Sequence, residues 1–232
     1  MTKIIKFTEL QDHVGIPIPA KKSIPSWYKK SPRFLEGDSK PSFFSKYEKN
    51  LSFKTCVPFA DSMMAGYQAV LWQDVEVVNV EGGGPEFRWP LSPEVVAGRP
   101  DEGLDLFPVP AGHLDRQLVW NVPWSIETPP GYSVLITHPL NRFELPFTTL
   151  SGVVDTDSAL FQGHLPFYLQ KDWEGVIEKG TPLFQIIPFK RESWDSQNDP
   201  SLKERAEKRY YESMSKLIGH YKKNIWKKKS FN

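Results

Sequence analysis

The chain has 232 residues, 39% of them hydrophobic and 21 of them proline, with a formal net charge of +1; this composition excludes general disorder and favours short strands and ordered loops over a helical bundle. The single cysteine, Cys56, excludes an intramolecular disulfide and a cysteine-based zinc site. No apolar run reaches the length of a signal-peptide core or a membrane span, so we expect a cytoplasmic protein with no membrane partner.

Charge is segregated along the chain. Residues 1–54 carry eleven Lys and Arg against five Asp and Glu, residues 74–127 carry three against ten, and residues 190–232 carry twelve against six. Two basic segments therefore flank an acidic middle. The basic C-terminal tail is a candidate for contact with a polyanion such as nucleic acid. The alternative is a solvated helix end, or packing on the acidic middle of the same or a neighbouring subunit.

Residues 1–50 are predicted to form an arm that is rich in proline and aromatic residues. Five prolines fall between residues 15 and 45, and they prevent long helices and central strands: Pro17, Pro19, Pro25, Pro32 and Pro41. We therefore expect an extended N-terminal arm that wraps around the outside of a neighbouring domain.

Residues 51–195 are predicted to form a β domain. Strand-like runs cover residues 51–59 and 65–80, where apolar, β-branched and aromatic residues are frequent. Residues 82–117 follow as a long acidic insertion with little regular structure, because glycine and proline recur through it. A loop of this length inside a compact domain is usually functional or part of an interface.

Strand signals resume after the insertion, and their spacing is typical of a compact β sandwich or barrel. The predicted strands include Leu118–Trp120, Tyr132–Thr137, Gly152–Val154, Leu165–Leu169 and Leu183–Pro188. The fold class is therefore mainly β.

An amphipathic α-helix is predicted in the basic segment 199–229. Asp199 or Ser201 can cap it, and large side chains recur at three- and four-residue spacing through residues 201–226. The apolar stripe consists of Tyr210, Met214, Leu217, Tyr221 and Ile225. We expect it to be buried on the β domain or on a partner subunit.

Several segments of the β domain, taken in order, resemble the dUTPase and dCTP-deaminase superfamily. They are Pro129–Thr137, Gly152–Asp157, Gly163–Leu165 and Ile177–Ile187. An upstream segment, Ala65–Ala69, resembles the first motif of that superfamily. The resemblance implies a dUTPase-like β-clip fold and a homotrimer. The whole chain, including Ile24–Lys29 near its start, also resembles a group of tailed-bacteriophage proteins, which implies a viral source and a location in the host cytoplasm.

The same resemblance supplies the candidate site residues. In the superfamily, the carboxylate at the position of Asp155 contacts the sugar or activates water, so Asp155 is the candidate catalytic residue. The ligand-binding candidates are Gly152, Asp155, Asp157, Gln68, Arg142 and Gln185. The alternative for the two aspartates is turn chemistry, in which they accept hydrogen bonds from nearby backbone amides.

The chain departs from the superfamily at the charged groups that the reactions need. Gln68 stands where an aspartate helps to hold magnesium, and an amide is a much poorer ligand for this hard cation. The arginine-serine element that binds phosphates is replaced by residues 138–143, in which Arg142 is the nearest substitute. Tyr168 stands where deaminases have a glutamate. Asp155 is thus left without its reaction partners.

These departures favour a non-catalytic dUTPase-like protein, a viral structural or interaction module with no cofactor. The second hypothesis is an enzyme or binding protein for deoxynucleotides that uses Asp155, and only this hypothesis requires Mg²⁺. The third is a non-haem iron oxygenase, because His113 and Asp115 have the spacing of two iron ligands, with His138 or His164 as the third.

Overall fold

The computed structural model describes residues 2–35, 50–100, 107–158, 160–161, 163–215 and 220–232. The chain divides into two compact units. The first comprises Met1–Ser23, Met64–Arg191 and Phe231, and the second comprises Ile24–Met63, Glu192–Ser230 and Asn232. The fold is mainly β, as the sequence predicts.

The strands that the structure describes all pair antiparallel. In chain order they are β1 (Lys6–Glu9), β2 (Ile18–Pro19), β3 (Phe34–Leu35), β4 (Asn50–Leu51), β5 (Tyr67–Val70), β6 (Val75–Val80), β7 (Gly84–Arg88), β8 (Val96–Gly98), β9 (Leu118–Asn121), β10 (Trp124–Glu127), β11 (Tyr132–Thr137), β12 (Phe147–Thr149), β13 (Gly152–Val154), β14 (His164–Leu169), β15 (Gly175–Ile177) and β16 (Pro182–Lys190).

The helices are short. They are α1 (Ser26–Lys30), α2 (Val57–Met64) and α3 (Leu202–Ser215), with tighter or wider helical turns at Ala20–Ser23, Phe53–Thr55 and Tyr221–Ile225. Within the described ranges, no helix is both long enough and apolar enough to cross a membrane.

Two sheets enclose the core of the first unit. The larger has the strand order β13-β11-β16-β5-β2, and the other has the order β12-β14-β9-β8. Their inward side chains form one buried cluster, in which the Trp120 ring stacks on Phe167 with centroids 3.9 Å apart. Trp124 of β10 contacts Phe184 of β16 at 5.9 Å between ring centroids. Several consecutive residues of β9 and β16 are buried, so both faces of these two strands are covered.

The acidic insertion contains more regular structure than the sequence predicts. β7 pairs with β6 through a glycine turn in which Gly82 and Gly84 have φ of +75° and +80°, and β8 pairs with β9. The side chain of Gln73 donates to Leu91 O at 2.7 Å and accepts from Leu91 N at 3.0 Å. Strand pairing and this buried amide therefore hold residues 84–98 of the insertion on the domain.

One strand prediction is also wrong in detail. The sequence predicts a strand over 51–59, but Phe53–Thr55 is a helical turn and α2 begins at Val57. The helix predicted over 201–226 is present as α3 and as a helical turn at Tyr221–Ile225, and residues 216–219 between them lie outside the described residues.

Three members of the predicted stripe are exposed. Tyr210 is 62% exposed, Tyr221 41% and Ile225 42%. Leu217 and the side chain of Met214 lie outside the described residues. Burial of the stripe on the β domain or on a partner subunit stays a prediction.

Candidate functional site

Asp155 lies where three strand ends meet in the larger sheet. It follows β13, Gly131 precedes β11 and Arg191 follows β16. Val134 of β11 faces Val154 of β13, and Tyr132 of β11 faces Lys190 of β16. Because β11 lies between the other two strands, this antiparallel register brings residues that are distant in sequence to the same edge.

A hydroxyl and a guanidinium contact Asp155. Ser133 Oγ donates a hydrogen bond of 2.6 Å to Asp155 Oδ1, and Arg191 Nη1 approaches the same oxygen at 3.4 Å. Arg191 Nη1 also donates to Ser133 Oγ at 3.0 Å. The Asp155 side chain remains 63% exposed, so one side of the carboxylate faces solvent.

Asp157 is the buried carboxylate of the pair, with a side chain that is 7% exposed. Arg191 binds it through both ends of the guanidinium fork, with 2.8 Å between Nη1 and Oδ1. The Gly131 amide donates to Oδ2 at 2.7 Å, and Ser158 Oγ donates to Oδ1 at 3.2 Å. We call Ser133, Asp155, Asp157 and Arg191 the Asp155 cluster.

The electrostatics of the Asp155 cluster favour a permanent anion at Asp157. The hydrogen bonds from Arg191, and then the one from the Gly131 amide, hold the pKa of Asp157 far below its usual value. A carboxylate with so low a pKa is a weak base, whereas a general base works best with a pKa near the working pH. Asp157 therefore serves as an anchor for Arg191 and not as a proton acceptor.

Gln68 and Gln185 form a separate buried pair. They face each other across β5 and β16, and they are 2% and 0% exposed. Gln185 Oε1 accepts from Leu140 N at 3.0 Å, and Gln185 Nε2 donates to Ala65 O at 2.6 Å. In the described part of the chain, Gln68 Oε1 has no hydrogen-bond partner.

The glutamines do not meet Asp155. Gln185 faces Thr137, which lies four residues along β11 from Ser133, or about 13 Å at the usual rise per strand residue. The predicted ligand set is therefore split between two places in the sheet.

Arg142 is also engaged elsewhere. Its side chain is 12% exposed, its Nε binds Glu144, and its Nη1 donates to Ser23 O at 3.2 Å. The guanidinium therefore holds the N-terminal segment to its own unit and is not presented to a phosphate near Asp155.

Neighbouring His138 is an internal hydrogen-bonding group. Its Nε2 lies 3.1 Å from Arg142 O and its Nδ1 accepts from Thr149 N at 3.3 Å. Because a carbonyl only accepts, the proton is on Nε2, and this neutral tautomer agrees with the lowered pKa that burial gives His138. His138 is therefore a structural residue in this arrangement.

Gly152 and Tyr168 occupy ordinary strand positions. Gly152 faces Ile136, and a Cβ added there would meet nothing within 4 Å. Tyr168 is 1% exposed, and its hydroxyl accepts from Gln117 Nε2 at 3.3 Å. Neither residue reaches the Asp155 cluster through a described contact.

His113 has hydrogen bonds to its surroundings. Its Nε2 lies 3.0 Å from Thr148 Oγ1 and its Nδ1 lies 3.1 Å from Ala111 O. No group of three or more His, Cys, Asp or Glu side chains placed to hold a metal occurs within the ranges that the structure describes. Within the described residues, no third ligand therefore lies beside His113 and Asp115, as the iron hypothesis requires.

The sequence prediction missed Ser133 and Arg191. Ser133 lies near the start of the predicted strand 132–137, and Arg191 lies three residues beyond the predicted strand 183–188, directly after β16. The antiparallel register of β11 with β13 and β16 brings both residues to Asp155. The available signal was an arginine shortly after the last predicted strand.

We expect the Asp155 cluster to make the stability of the protein sensitive to acid. Because the folded pKa of Asp157 lies below its unfolded value, its contribution is complete above about pH 4 and is lost as the pH falls towards the folded pKa. Asp157→Asn should lower the melting temperature at pH 6 and reduce the further decrease between pH 6 and pH 3.

Thermal melting across this pH range tests the prediction. The control is Asp172→Asn, which changes an exposed aspartate in a turn outside the cluster. Equal acid sensitivity of Asp157→Asn and the unmodified chain would show that Asp157 does not contribute in this way.

The candidate side chains thus occupy three places: the Asp155 cluster, the buried glutamine pair and the Arg142 contact with the N-terminal segment. Of these, the Asp155 cluster presents the more exposed pair of carboxylate and guanidinium: Asp155 and Arg191 are 63% and 39% exposed, against 40% and 12% for Glu144 and Arg142. No family model matches the chain, and the search of curated proteins found no match either.

Proposed function

We propose that the chain is a non-catalytic β protein of the dUTPase and dCTP-deaminase type that serves as a viral structural or interaction module. The observation that supports this proposal most strongly is the position of Arg191. Its guanidinium is bound by Asp157 and contacts Asp155, so both candidate carboxylates belong to an internal ion pair. This ion pair links the ends of β11, β13 and β16.

The neighbouring groups support the same proposal. Metal-assisted chemistry on a triphosphate requires oxygen anions, phosphate-binding cations and a proton acceptor around one point. Gln68 is neutral and buried, Arg142 is bound to Glu144 and Ser23, and Tyr168 is buried against Gln117. None of these three side chains has a described contact with Asp155.

A second candidate function is the binding of a deoxynucleotide. It is favoured by the exposure of the Asp155 and Arg191 side chains, 63% and 39%, at adjoining positions. A carboxylate would accept a hydrogen bond from a sugar hydroxyl, and a guanidinium would donate to a phosphate oxygen. Mg²⁺ belongs only to this second proposal.

The proposed partners follow from the resemblance and from the charged tail. From the resemblance, we propose that the protein forms a homotrimer. We also propose that it is located in the host cytoplasm. In the second unit, Asp61 accepts hydrogen bonds from Trp226 Nε1 and Lys229 Nζ at 2.7 and 2.6 Å. A polyanion would therefore meet mainly the other exposed lysines of the tail: Lys222, Lys223, Lys227 and Lys228.

We expect purified protein to release neither pyrophosphate nor ammonia from dUTP or dCTP in the presence of Mg²⁺. The physical reason is that the groups needed to bind the metal, to bind the phosphates and to accept a proton are not assembled at Asp155. Product assays and nucleotide-dependent shifts in melting temperature provide the measurements, and metal analysis for iron tests the oxygenase hypothesis.

The variant Asp155→Asn separates the two proposals, with Asp172→Asn as the matched control. Turnover that disappears only in Asp155→Asn would overturn the non-catalytic proposal. A melting shift without turnover that is lost in the same variant would establish nucleotide binding. The absence of both effects is the result expected for a structural module.

A further inference from the structure

A cavity of about 640 Å³ lies in the first unit, apart from the Asp155 cluster. Its polar lining comes from Gln11, Glu94, Asn121 and His164, and Pro93, Val122 and Pro123 supply apolar walls. The volume is within the usual range for sites that bind small molecules, roughly 300 to 1,000 Å³. The resemblance includes Gly163 and the iron hypothesis includes His164, but neither assigns a role to Glu94 and Asn121 or to the cavity that they line.

Strand pairing places the polar side chains. Asn121 ends β9 and His164 begins β14, and the two residues face each other across the antiparallel pair. Glu94 comes just before β8, which pairs with the other side of β9. The backbone amide of Asn121 donates to Val95 O at 3.0 Å, which holds the Glu94 segment beside β9.

One buried hydrogen-bond acceptor of the cavity lining has no donor among the described residues. Asn121 Nδ2 donates to Glu94 O and to Glu94 Oε2, both at 3.2 Å. Asn121 Oδ1 is buried and has no hydrogen-bond partner among the residues that the structure describes. An unpaired buried carbonyl is costly, so a ligand N–H that reaches it is favoured. The soft χ2 torsion of asparagine allows the amide to turn towards such a donor.

Charge narrows the choice of ligand. Glu94 supplies the carboxylate of the lining, and the other lining residues include no aspartate, lysine or arginine. A carboxylate attracts cations and repels anions such as phosphates. The two prolines and Val122 offer contact to a hydrocarbon body.

We propose that this cavity binds an organic cation with N–H donors, an ammonium or guanidinium group on a short hydrocarbon body. The cation donates to the Glu94 carboxylate and to Asn121 Oδ1, and its body lies against the proline walls. Two sources have this chemistry: a free small molecule, or a lysine or arginine side chain on a polypeptide.

Calorimetric titration of the full chain tests the proposal with matched ligands. The cation is N-acetyl-arginine amide, and its neutral isostere is N-acetyl-citrulline amide. A peptide with the sequence of residues 222–232, which contains five lysines, represents the polypeptide source. Tighter binding of the peptide than of the capped amino acid identifies a polypeptide as the source, and the reverse order identifies a free molecule.

The protein variants are Glu94→Gln and Glu81→Gln. Both remove one charge from an exposed glutamate of the acidic stretch, but Glu81 lies in the β6–β7 turn outside the cavity lining. We expect the arginine ligand to bind about tenfold more tightly than the citrulline ligand, and Glu94→Gln to remove about that factor. Glu81→Gln should change the affinity by less than about twofold.

Three outcomes overturn the proposal. They are no binding of either cation at about 10 mM, equal affinity for the arginine and citrulline ligands, and equal effects of the two glutamate substitutions. Because Glu94 and Glu81 are both exposed, the two variants are expected to fold, which their melting curves verify.

Discussion

Replacing Gly66 with alanine is expected to lower the free energy of unfolding by at least about 3 kcal/mol. Gly66 has φ of +68°, a conformation that is costly for residues with a side chain. A Cβ at this position would also lie 2.0 Å from Ile186 O. Ile186 belongs to β16, which has β11 and β5 on its two sides, so the backbone cannot easily move away.

Gly180→Ala is the control for this prediction. Gly180 has φ of +88°, but a Cβ there would meet nothing within 4 Å. This variant should therefore show only the backbone cost, about 1 to 2 kcal/mol. Urea unfolding of both variants gives the comparison, and equal losses would show that the contact with Ile186 is relieved by local movement.

Replacing Trp120 with alanine is expected to cost about 3 to 5 kcal/mol. Trp120 is 0% exposed, it stacks on Phe167 with an interplanar angle of 9°, and it meets Phe147 edge-on with centroids 5.0 Å apart. Removing the indole leaves a cavity between two sheets that are held by strand pairing, so the neighbours cannot fill it completely.

Trp194 provides a matched tryptophan outside the core. Its side chain is 85% exposed, and Trp194→Ala should change the unfolding free energy by less than about 0.5 kcal/mol. Urea unfolding followed by circular dichroism compares both variants without relying on tryptophan fluorescence. A small loss for Trp120→Ala would contradict the central position that the structure gives to this ring.

Several strands of the β domain could be predicted from runs of apolar, β-branched and aromatic residues. Residues 132–137 and 152–154 match β11 and β13, and β16 extends the predicted strand 183–188 at both ends. Residues 51–59 were misassigned because a short apolar run with β-branched and aromatic residues suits a strand or a helix equally. The structure resolves this ambiguity with a helical turn and α2.

The candidate site could be predicted only in part. A hairpin-like turn rich in aspartate was visible at residues 155–157, but the partner of these residues was not. Arg191 lies 34 residues after Asp157 and reaches it through strand register, which a single sequence does not specify. The exposure of Tyr210 and Ile225 has a similar reason: periodicity indicates that a helix has an apolar side but not whether its own chain covers it.

The position of β16 affects how the chain acquires its structure during synthesis. This strand is the last one that the structure describes in sequence order, yet it lies third of five in the larger sheet, between β11 and β5. As the ribosome makes the chain from the N-terminus, β5 and β11 have no common neighbour until residues 182–190 emerge. Arg191, which closes the Asp155 cluster, emerges directly afterwards. The sheet therefore completes in a single late step, and until then the nascent chain exposes two unpaired strand edges to other chains.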